Sequence, residues 1–409
     1  LNPDDAFTTQ VLKAIDANAQ LDGVKVLSQQ LGTHTLEDLN QVKAAYLTTD
    51  ALKMAYQHNE QLVSKSHVDI MFKQTASLPS FELPNSEQTS GEYLQFISEK
   101  GLSNRLKGRK LPEDHYSKRL KHELQVINHL GFNDYFLIVW DIVNFAHQKN
   151  IQMGAGRGSA AGSLVAYALG ITDVDPLQFG LLFERFLNPD RVQMPDIDID
   201  WPDNKREAIL TYLHDKYGQR NFAQIITFGT LAAKQALRDT ARVFGVSQAM
   251  MSRISHAIPQ PKQGRKVSIQ DALESSDNLK NTLSTIENGD LLLKVAQQIE
   301  GLPRNYSTHA AGVVLSADVL VKTLPVQSGT DDRLLTQFEK NPVEALGLLK
   351  IDVLGLSNLS ILAQTLYVAK ANLPEYFNIS DVPLDDEKTL DLYAAGDTDG
   401  IFQFESPGI

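Results

Sequence analysis

The sequence predicts a mixed α/β protein of the α+β type. Residues 116–150 and 231–245 carry the spacing of apolar residues that amphipathic helices show. Two segments rich in Val, Ile and Leu, at 310–316 and 346–356, instead predict buried strands. With 409 residues and 42% hydrophobic composition, the chain is long enough for two to four domains.

Composition and charge narrow the class of protein. No apolar run approaches the roughly 20 residues that span a bilayer, so we expect no membrane contact. The chain has no cysteine, which excludes disulfides and cysteine-based zinc sites and is compatible with the cytoplasm. The net charge of −12 argues against a protein that only binds nucleic acid, but it allows an enzyme whose acids hold metal ions. The chain begins at Leu1 without a Met, so we expect a fragment.

The remaining elements follow from local signals along the chain. Thr35 is a predicted N-cap within a region of short helices, and the Ser- and Pro-rich segment 75–92 predicts a linker or surface loop. Gly131 predicts a break between two helices, and Gly245 predicts the end of the helix that starts near residue 231. Residues 257–266 predict a loop, and residues 287–303 predict a helix and its stop.

The segment "MPDIDIDWPD", residues 194–203, alternates acidic and apolar residues. Alternation is the period of a strand, so Asp196, Asp198 and Asp200 are expected on one face. Carboxylates so placed repel each other, and a divalent cation would remove that repulsion because Mg²⁺ and Ca²⁺ prefer oxygen ligands.

Two other interpretations of these aspartates remain. An EF-hand calcium loop would match the first three acids and Glu207, but it needs Gly where Trp201 stands. A solvated acidic turn is the second, and the apolar spacers make it less favoured.

A further carboxylate supports a metal site. Asp352 and Lys350 are the only charged residues of the apolar segment 346–356, and a buried carboxylate needs a partner or a metal. That partner could be Lys350 itself, because residues two apart on a strand face the same side. Two acids from one strand and one from its neighbour would suit a two-metal phosphoryl-transfer site.

Upstream, "MGAGRGSAAGSLVAYALGITDVDP", residues 153–176, is a glycine- and serine-rich segment that leads into a helix. Glycines let the backbone approach a ligand, and free N–H groups at a helix start attract phosphate. The spacing is neither that of a Walker P-loop nor a clean GxGxxG, and a flexible turn before a packed helix is the alternative. Arg185 interrupts an apolar segment and could pair with Glu184 or reach a triphosphate.

These features together resemble the palm of polymerase-beta-like nucleotidyltransferases. The motifs "GRGSAAGSLVAYALGITDVDPLQFGLLFERFLNPDRVQMPDIDID", "ITFGTLAAKQALRD", "STHAAGVV", "LLKIDVLGLSNL" and "GIFQFES" further resemble, in order and spacing, the α subunit of bacterial replicative DNA polymerase III, a C-family DNA polymerase. "STHAAGVV" is more similar to the DnaE type of Gram-positive bacteria. The resemblance covers most of the chain from about residue 93.

The resemblance implies a palm with an inserted helical thumb. Its expected domains are the C-terminal end of a PHP domain (1–68), a first palm segment (69–230), the thumb (231–304), a second palm segment (305–356) and the truncated start of the fingers (357–409).

The resemblance also implies the site. Asp196, Asp198 and Asp352 would be the catalytic trio that binds two Mg²⁺ ions, with Mn²⁺ as a substitute, and Asp200 would have a supporting role. Residues expected at the triphosphate of the incoming nucleotide are Arg157, Gly158, Ser159, Arg185 and Lys350.

DNA contacts are expected from the predicted thumb. Lys234, Arg238 and Arg242 fall on one helix face and suit backbone phosphates, although a solvated face with local ion pairs, such as to Asp239, is the alternative. His309 is expected near the primer or active site by resemblance, whereas a lone His is more often a hydrogen-bonded core residue. A second basic group is expected to be ordinary surface: Lys107, Arg109, Lys110, Lys118, Arg119 and Lys121.

The expected function is template-directed DNA synthesis from deoxynucleoside triphosphates on a primer–template, in bacterial chromosome replication in the cytoplasm. The sliding clamp and other replisome subunits would bind through regions missing here, and the isolated piece is expected to be inactive because its fingers are incomplete. Two alternatives are a metal-dependent glycosyltransferase that uses its DxD acids, and a fragment that binds DNA without catalysis.

Overall fold

The computed structural model describes residues 6–18, 50–66, 78–108, 113–189, 194–260, 267–369, 377, 379 and 382–404. The predicted helix at Thr35 lies outside these residues, as do residues 261–266 of the predicted loop. The helices of the described residues are α1 Ala6–Asp16, α2 Asp50–Lys65, α3 Ser90–Leu106, α4 Glu113–Leu130, α5 Asn133–Gln148, α6 Leu164–Ala168, α7 Arg206–Tyr217, α8 Ala233–Val243, α9 Gln248–Ala257, α10 Ile269–Ser275, α11 Asp277–Ser284, α12 Gly289–Ile299, α13 Lys340–Ala345, α14 Ser357–Ala369 and α15 Glu387–Ala395.

The strands form one mixed sheet in the order β1-β6-β3-β2-β5-β4 within the described residues. Their bounds are β1 Ile199–Pro202, β2 Phe222–Thr230, β3 Pro303–Leu315, β4 Val326–Ser328, β5 Leu334–Thr336 and β6 Leu349–Leu356. β1 runs parallel to β6, and β3 runs antiparallel to β6. Helices and a mixed sheet in one chain confirm the predicted α+β class.

The predicted helix limits at Gly131 and Gly245 are confirmed, as is the predicted end of a helix within residues 287–303. Gly131 separates α4 from α5, Gly245 follows α8, and Gly301 follows α12. All three have positive φ, of 74°, 73° and 81°, which ends a helix at little steric cost only for glycine.

The chain divides into two compact units. The first contains Leu1–Met71 and Phe228–Ser307, and the second contains Phe72–Thr227 and Thr308–Ile409. The chain leaves the second unit along β2 and returns to it along β3.

Packing of helices stabilises the first unit. α8 packs against α9 and α12, and α1 lies on α8 and α12. The shared core includes Val11 of α1, Leu237 of α8 and Val295 of α12, all fully or almost fully buried.

The second unit has two apolar cores on opposite faces of its sheet. The larger one joins helices α3 to α6 to the sheet through residues such as Phe136 and Val353. On β3, Val313 belongs to this core and Val314 belongs to the other one. Successive strand residues face opposite sides, so both faces of the sheet are covered. No helix within the described residues is long and apolar enough to cross a membrane.

The aspartate segment is strand-like, but its ladder is shorter than the sequence predicts. Only Ile199–Pro202 pair with β6, while residues 194–198 are outside any ladder. Because Trp201 and Pro202 continue the strand, the segment does not turn as an EF-hand loop would.

Candidate active site

Three carboxylates converge where the acidic segment enters β1. Asp196, Asp198 and Asp352 each offer an oxygen atom, and these atoms lie within 4.8 Å of one another. The convergence follows from strand pairing, because Ile199 is opposite Val353 in the parallel β1–β6 pair. The predicted grouping of two acids from one segment with one from the neighbouring strand is therefore confirmed as geometry. Asp200 does not belong to this trio.

Buried neighbours hold the acidic segment in place. Ile197 and Ile199 are 3% and 5% exposed, so they anchor the segment in the core between the aspartates. The Ile197 N–H donates a hydrogen bond of 3.0 Å to the hydroxyl of Tyr135, on α5. Burial raises the pKa of Tyr135, the Ile197 N–H opposes this in part, and the charges of the trio raise the pKa further. The phenol therefore stays neutral and serves as a fixed acceptor behind the trio.

Lys350 supplies a cation inside the carboxylate cluster. Its Nζ lies 2.6 Å from Asp352 Oδ2 and 3.7 Å from Asp196 Oδ1. Burial by itself lowers the pKa of Lys350, but the hydrogen bond and charge of Asp352, followed by the charge of Asp196, raise it above the ordinary value. The predicted contact between Lys350 and Asp352 is confirmed, and the ammonium offsets part of the repulsion among the acids.

The donor set fits a divalent cation. All three groups present hard oxygen ligands, which Mg²⁺ prefers. Asp352 Oδ1 is buried and accepts no hydrogen bond from the described residues. An unpaired buried carboxylate oxygen is unfavourable, so this atom has an unfilled place for a ligand.

The glycine-rich segment faces the trio through a tight backbone turn. The Gly154 N–H donates to the Asp200 carbonyl at 3.0 Å, which ties the segment to β1. Gly156 has φ of 108°, and a side chain there would meet Thr172 Cγ2 at 2.8 Å. Gly158 has φ of 65°, and the position of its missing Cβ is 3.9 Å from Asp198 Oδ2. Glycine is therefore required at Gly156 and lets the backbone approach an acid of the trio at Gly158.

The helix predicted after these glycines begins differently. Residues Gly158–Gly162 form a 3₁₀ helix, and only Leu164–Ala168 are α-helical. Ser159 is exposed at the start of the 3₁₀ helix, beside Gly158 and Arg157. Ser163 caps the short α-helix by accepting the Ala166 N–H.

A buried ion pair fixes the far end of this segment. Glu123, fully buried, accepts hydrogen bonds of 3.0 Å from the Ser163 hydroxyl and from the N–H groups of Leu164 and Val165. Arg119 lies 2.6 Å from Glu123 and donates to the Gly162 carbonyl at 3.0 Å. The expectation that Arg119 is ordinary surface is therefore wrong. Lys107, Lys118 and Lys121 are exposed as expected, and residues 109 and 110 lie outside the described residues.

Arg157 lies between two aspartates of the acidic segment. Its Nε is 3.5 Å from Asp198 Oδ2, and its Nη1 is 3.6 Å from Asp200 Oδ1. Burial raises the pKa of Asp200, the guanidinium of Arg157 lowers it, and the charge of Asp198 raises it. The guanidinium thus joins the glycine-rich segment to the acids by charge.

His309 lies on β3 beside the trio. Its Nδ1 accepts the N–H groups of Ala311 and Gly312, at 3.1 and 2.7 Å. Gly312 pairs with Asp352 across the β3–β6 ladder, and its missing Cβ would lie 3.1 Å from His309 Nδ1 and 3.5 Å from Asp352 Oδ1. His309 therefore lies close to the carboxylate of Asp352, and its expected role at the primer or active site stays a prediction. With Nδ1 accepting, Nε2 is the ring nitrogen that can donate a hydrogen bond.

Comparison with known proteins decides the family. The sequence model of the bacterial DNA polymerase III alpha NTPase domain matches residues 92–355, and that of the bacterial DNA polymerase III alpha subunit finger domain matches residues 358–409. The chain belongs to the bacterial DNA polymerase III alpha subunit family.

Curated relatives agree over the whole chain. The chain is 43% identical over 409 residues to DNA polymerase III subunit alpha of Bacillus subtilis, covering 100% of this chain and 36% of the relative. It is 42% identical over 409 residues to the same subunit of Staphylococcus epidermidis, covering 100% of this chain and 37% of the relative. The resemblance to a Gram-positive subunit is confirmed, and the chain spans about a third of the length of these relatives.

Arg185 does not make the pairing that one interpretation predicted. Glu184 lies 3.6 Å from His122 Nε2 instead, and Arg185 is exposed, with no ion pair among the described residues. Its role at a triphosphate in this polymerase family stays a prediction.

The basic residues of α8 separate into two kinds. Lys234 and Arg238 are exposed, and Arg238 reaches the Ser255 hydroxyl at only 3.4 Å. Arg242 is half-buried and donates to the Ile15 carbonyl at 3.3 Å, with Asp239 at 4.0 Å. Asp239 pairs more closely with Arg304, at 3.1 Å. Arg242 therefore contacts its own unit, while Lys234 and Arg238 are accessible for a phosphate.

Sequence patterns did not identify Tyr135, Glu123 or the structural role of Arg119. Tyr135 lies in a helix whose apolar run predicts only core packing, and its partner Ile197 is 62 residues away. Glu123 and Arg119 do have the i, i+4 spacing of a helical ion pair, which was the available signal.

Proposed function

We propose that the protein containing this sequence is a DNA-directed DNA polymerase that extends a primer on a template during bacterial chromosome replication. The observation that carries the proposal is the convergence of Asp196, Asp198 and Asp352 within 4.8 Å of one another. The glycine-rich segment faces this trio, and family membership supports the same function. Family membership does not favour a glycosyltransferase.

The expected domain roles are part of this proposal. Residues 69–230 and 305–356 form the palm, residues 231–304 the thumb, residues 1–68 the end of a PHP domain, and residues 357–409 the start of the fingers. The match of the finger-domain model to residues 358–409 supports the last of these assignments. As a replication enzyme the protein would act in the cytoplasm, with the sliding clamp and other replisome subunits as partners.

In the reaction, the primer 3′-hydroxyl attacks the α-phosphate of a deoxynucleoside triphosphate, and pyrophosphate leaves. Asp196, Asp198 and Asp352 would hold the divalent cations. When bound, two Mg²⁺ ions, or Mn²⁺ in their place, would supply activation of the hydroxyl and neutralisation of charge on the phosphates. The Lys350 ammonium, which contacts Asp196 and Asp352, would donate its remaining N–H groups to the phosphates.

The glycine-rich segment would bind the triphosphate. Gly158 and Ser159 present backbone and hydroxyl groups, and Arg157 presents a planar guanidinium suited to phosphate oxygens. Arg185, exposed and free of ion pairs among the described residues, is the further candidate. The protein would then catalyse the reaction by positioning the primer hydroxyl and the triphosphate and by stabilising the negative charge on the phosphates.

Primer extension by variants of the full-length protein tests the proposal. Asp196→Asn and Asp352→Asn each remove a metal-binding charge, so extension should fall by roughly a thousandfold or more while primer–template binding persists. Asp318→Asn, which alters an exposed acid paired with Lys322 at 3.5 Å, is the control and should extend normally. Extension by either trio variant at the wild-type rate would contradict the assignment.

The isolated 409-residue chain should have little or no polymerase activity. It covers 36% of the length of the Bacillus subtilis relative. Fingers complete the nucleotide site in this proposal, so the rate of single-nucleotide insertion should be far below that of the full-length protein. Equal rates would overturn this point and leave the trio assignment standing.

A further inference from the structure

Asp200 shares the face of the trio without belonging to it. Its carboxylate is directed to Arg157, with Oδ1 at 3.6 Å from Nη1. The Asp200 side chain is 15% exposed, and Oδ1 is buried and accepts no hydrogen bond from the described residues. This oxygen is therefore an unfilled acceptor next to a cation.

Arg157 is shared between Asp200 and Asp198. Both distances, 3.6 and 3.5 Å, exceed those of charge-assisted hydrogen bonds, which are about 2.7–2.9 Å. The guanidinium is thus attracted by both acids and bonded to neither. Its side chain is 46% exposed, which leaves room for it to move.

The main chain of Asp200 holds the loop that carries Arg157. The Gly154 N–H bonds to the Asp200 carbonyl at 3.0 Å, and the missing Cβ of Gly154 would lie 3.1 Å from Asp200 Cβ. A change of the Asp200 side chain leaves this backbone bond in place. The effect of such a change on nucleotide binding therefore reports on the Asp200 carboxylate.

Cation binding to the trio would change how strongly Asp198 and Asp200 each attract the Arg157 guanidinium. The Asp198 carboxylate would be engaged by a bound divalent cation, whose charge would repel the guanidinium, whereas Asp200 lies outside the trio and its carboxylate would remain available to Arg157. A shift of roughly 0.7 Å would then give Arg157 a hydrogen bond to the free Asp200 oxygen.

We propose that Asp200 is a positioning residue that holds the Arg157 guanidinium at the glycine-rich segment, facing the triphosphate of the incoming nucleotide. This inference rests on the proposed polymerase function. Asp200 touches no reacting atom in it and acts through Arg157. In the opposite arrangement, Asp200 would hold Arg157 away from the triphosphate, and removing the Asp200 charge would increase nucleotide affinity.

Nucleotide binding without turnover tests the inference. The full-length protein is assembled on a primer–template whose primer ends in a dideoxynucleotide, with Mg²⁺, and titrated with the next complementary deoxynucleoside triphosphate. Asp200→Asn should raise the Kd roughly 5- to 20-fold, as expected for losing the charge of a partly exposed arginine–carboxylate contact. Asp200→Ser, which lacks any carbonyl acceptor, should raise it at least as much.

A double-variant cycle separates positioning from general damage. Arg157→Ala should weaken binding, and adding Asp200→Asn to it should weaken binding no further, because Asp200 acts through Arg157. In steady-state extension, Asp200→Asn should raise the KM for nucleotide with kcat nearly unchanged. Additive losses, or a fall in kcat alone, would overturn the inference.

Asp318→Asn is the control, because it breaks an exposed carboxylate–cation pair outside the glycine-rich segment, with Lys322 at 3.5 Å. Its Kd for nucleotide should equal that of the wild type. If Asp352→Asn still abolishes extension, an unchanged or lower Kd in Asp200→Asn would overturn this inference and leave the proposed function intact. Retained extension by Asp352→Asn would instead remove the proposed function on which the inference rests.

Discussion

Lys350 Nζ lies 2.6 Å from Asp352 Oδ2, two residues further along the same strand. The ammonium also reaches Asp196, from the other acidic segment, at 3.7 Å. A cation provided by the chain therefore joins the two segments that form the trio. This contact explains how three carboxylates can be held close together before any metal binds.

Replacing Lys350 by Met should make the second unit depend on metal for stability. Without the ammonium, the trio has no buried counter-charge, and we expect a loss of about 2 kcal/mol in the free energy of unfolding without divalent cation. Mg²⁺ should restore more stability to this variant than to the wild type, since it replaces the missing charge.

Thermal unfolding with and without Mg²⁺ measures this difference. The control is Lys322→Met, whose partner Asp318 is exposed and lies 3.5 Å away, so its loss should be below about 0.5 kcal/mol. An equal Mg²⁺ response in Lys350→Met and the wild type would argue against a cation site beside Lys350.

Gly156→Ala should damage the glycine-rich segment specifically. The added Cβ would meet Thr172 Cγ2 at 2.8 Å, in a backbone conformation with φ of 108°. Nucleotide affinity, measured by the same titration on a dideoxy-terminated primer, should fall roughly tenfold or more because the loop must shift.

Gly180→Ala separates backbone strain from this clash. Gly180 has φ of 61°, and an added Cβ would meet no described atom within 4 Å. We expect a destabilisation of about 1 kcal/mol from the left-handed backbone and no change in nucleotide affinity. A similar loss of affinity in both variants would show that the loop at Gly156 has no special role.

Arg119→Met should destabilise the second unit strongly. It leaves the fully buried Glu123 without its cation, which costs about 3–5 kcal/mol when one partner of a buried pair is removed. The double variant Arg119→Met/Glu123→Leu should lose less than the sum of the two single variants.

Tryptophan fluorescence in urea reports on this unit directly. The chain has 2 Trp residues, Trp140 and Trp201, and both lie in the second unit. Lys121→Met, an exposed position on the same helix, is the control and should be near neutral. A loss for Arg119→Met as small as for Lys121→Met would mean that the pair contributes little.

Lys234 and Arg238 should contribute to DNA affinity, whereas Arg242 should contribute mainly to stability. Lys234→Ala and Arg238→Ala should each weaken primer–template binding and reduce the slope of log affinity against log salt by about 1. Arg242→Ala removes the contact to Ile15 and should lower the melting temperature of the first unit. Unchanged salt slopes for both exposed residues would favour a merely solvated helix face.

The sequence supports the fold class and the trio for physical reasons. Strand alternation puts Asp196 and Asp198 on one side, and an acid in an apolar strand, Asp352, needs a partner or a metal. The resemblance to the family then chooses these two from three equivalent aspartates. Both the convergence of the trio and the contact of Lys350 with Asp352 are present in the structure.

Other features depend on contacts between distant regions of the chain. The Tyr135 hydroxyl meets the Ile197 N–H across 62 residues, and Glu123 caps a turn about 40 residues further on. A hydrogen bond between a side chain and a distant backbone group produces no periodic pattern of residues in either segment, so the sequence does not predict it. The 3₁₀ segment Gly158–Gly162 likewise has a partner distant in the sequence, because Arg119 donates to the Gly162 carbonyl.

The location of bound metal tests the central claim most directly. Crystals of the full-length protein with primer–template, incoming nucleotide and Mn²⁺ would give an anomalous-difference map at the manganese edge. We expect two peaks among the carboxylates of Asp196, Asp198 and Asp352, with Asp200 coordinating neither ion. Peaks elsewhere, or an Asp352 carboxylate that binds no ion, would contradict the proposed active site.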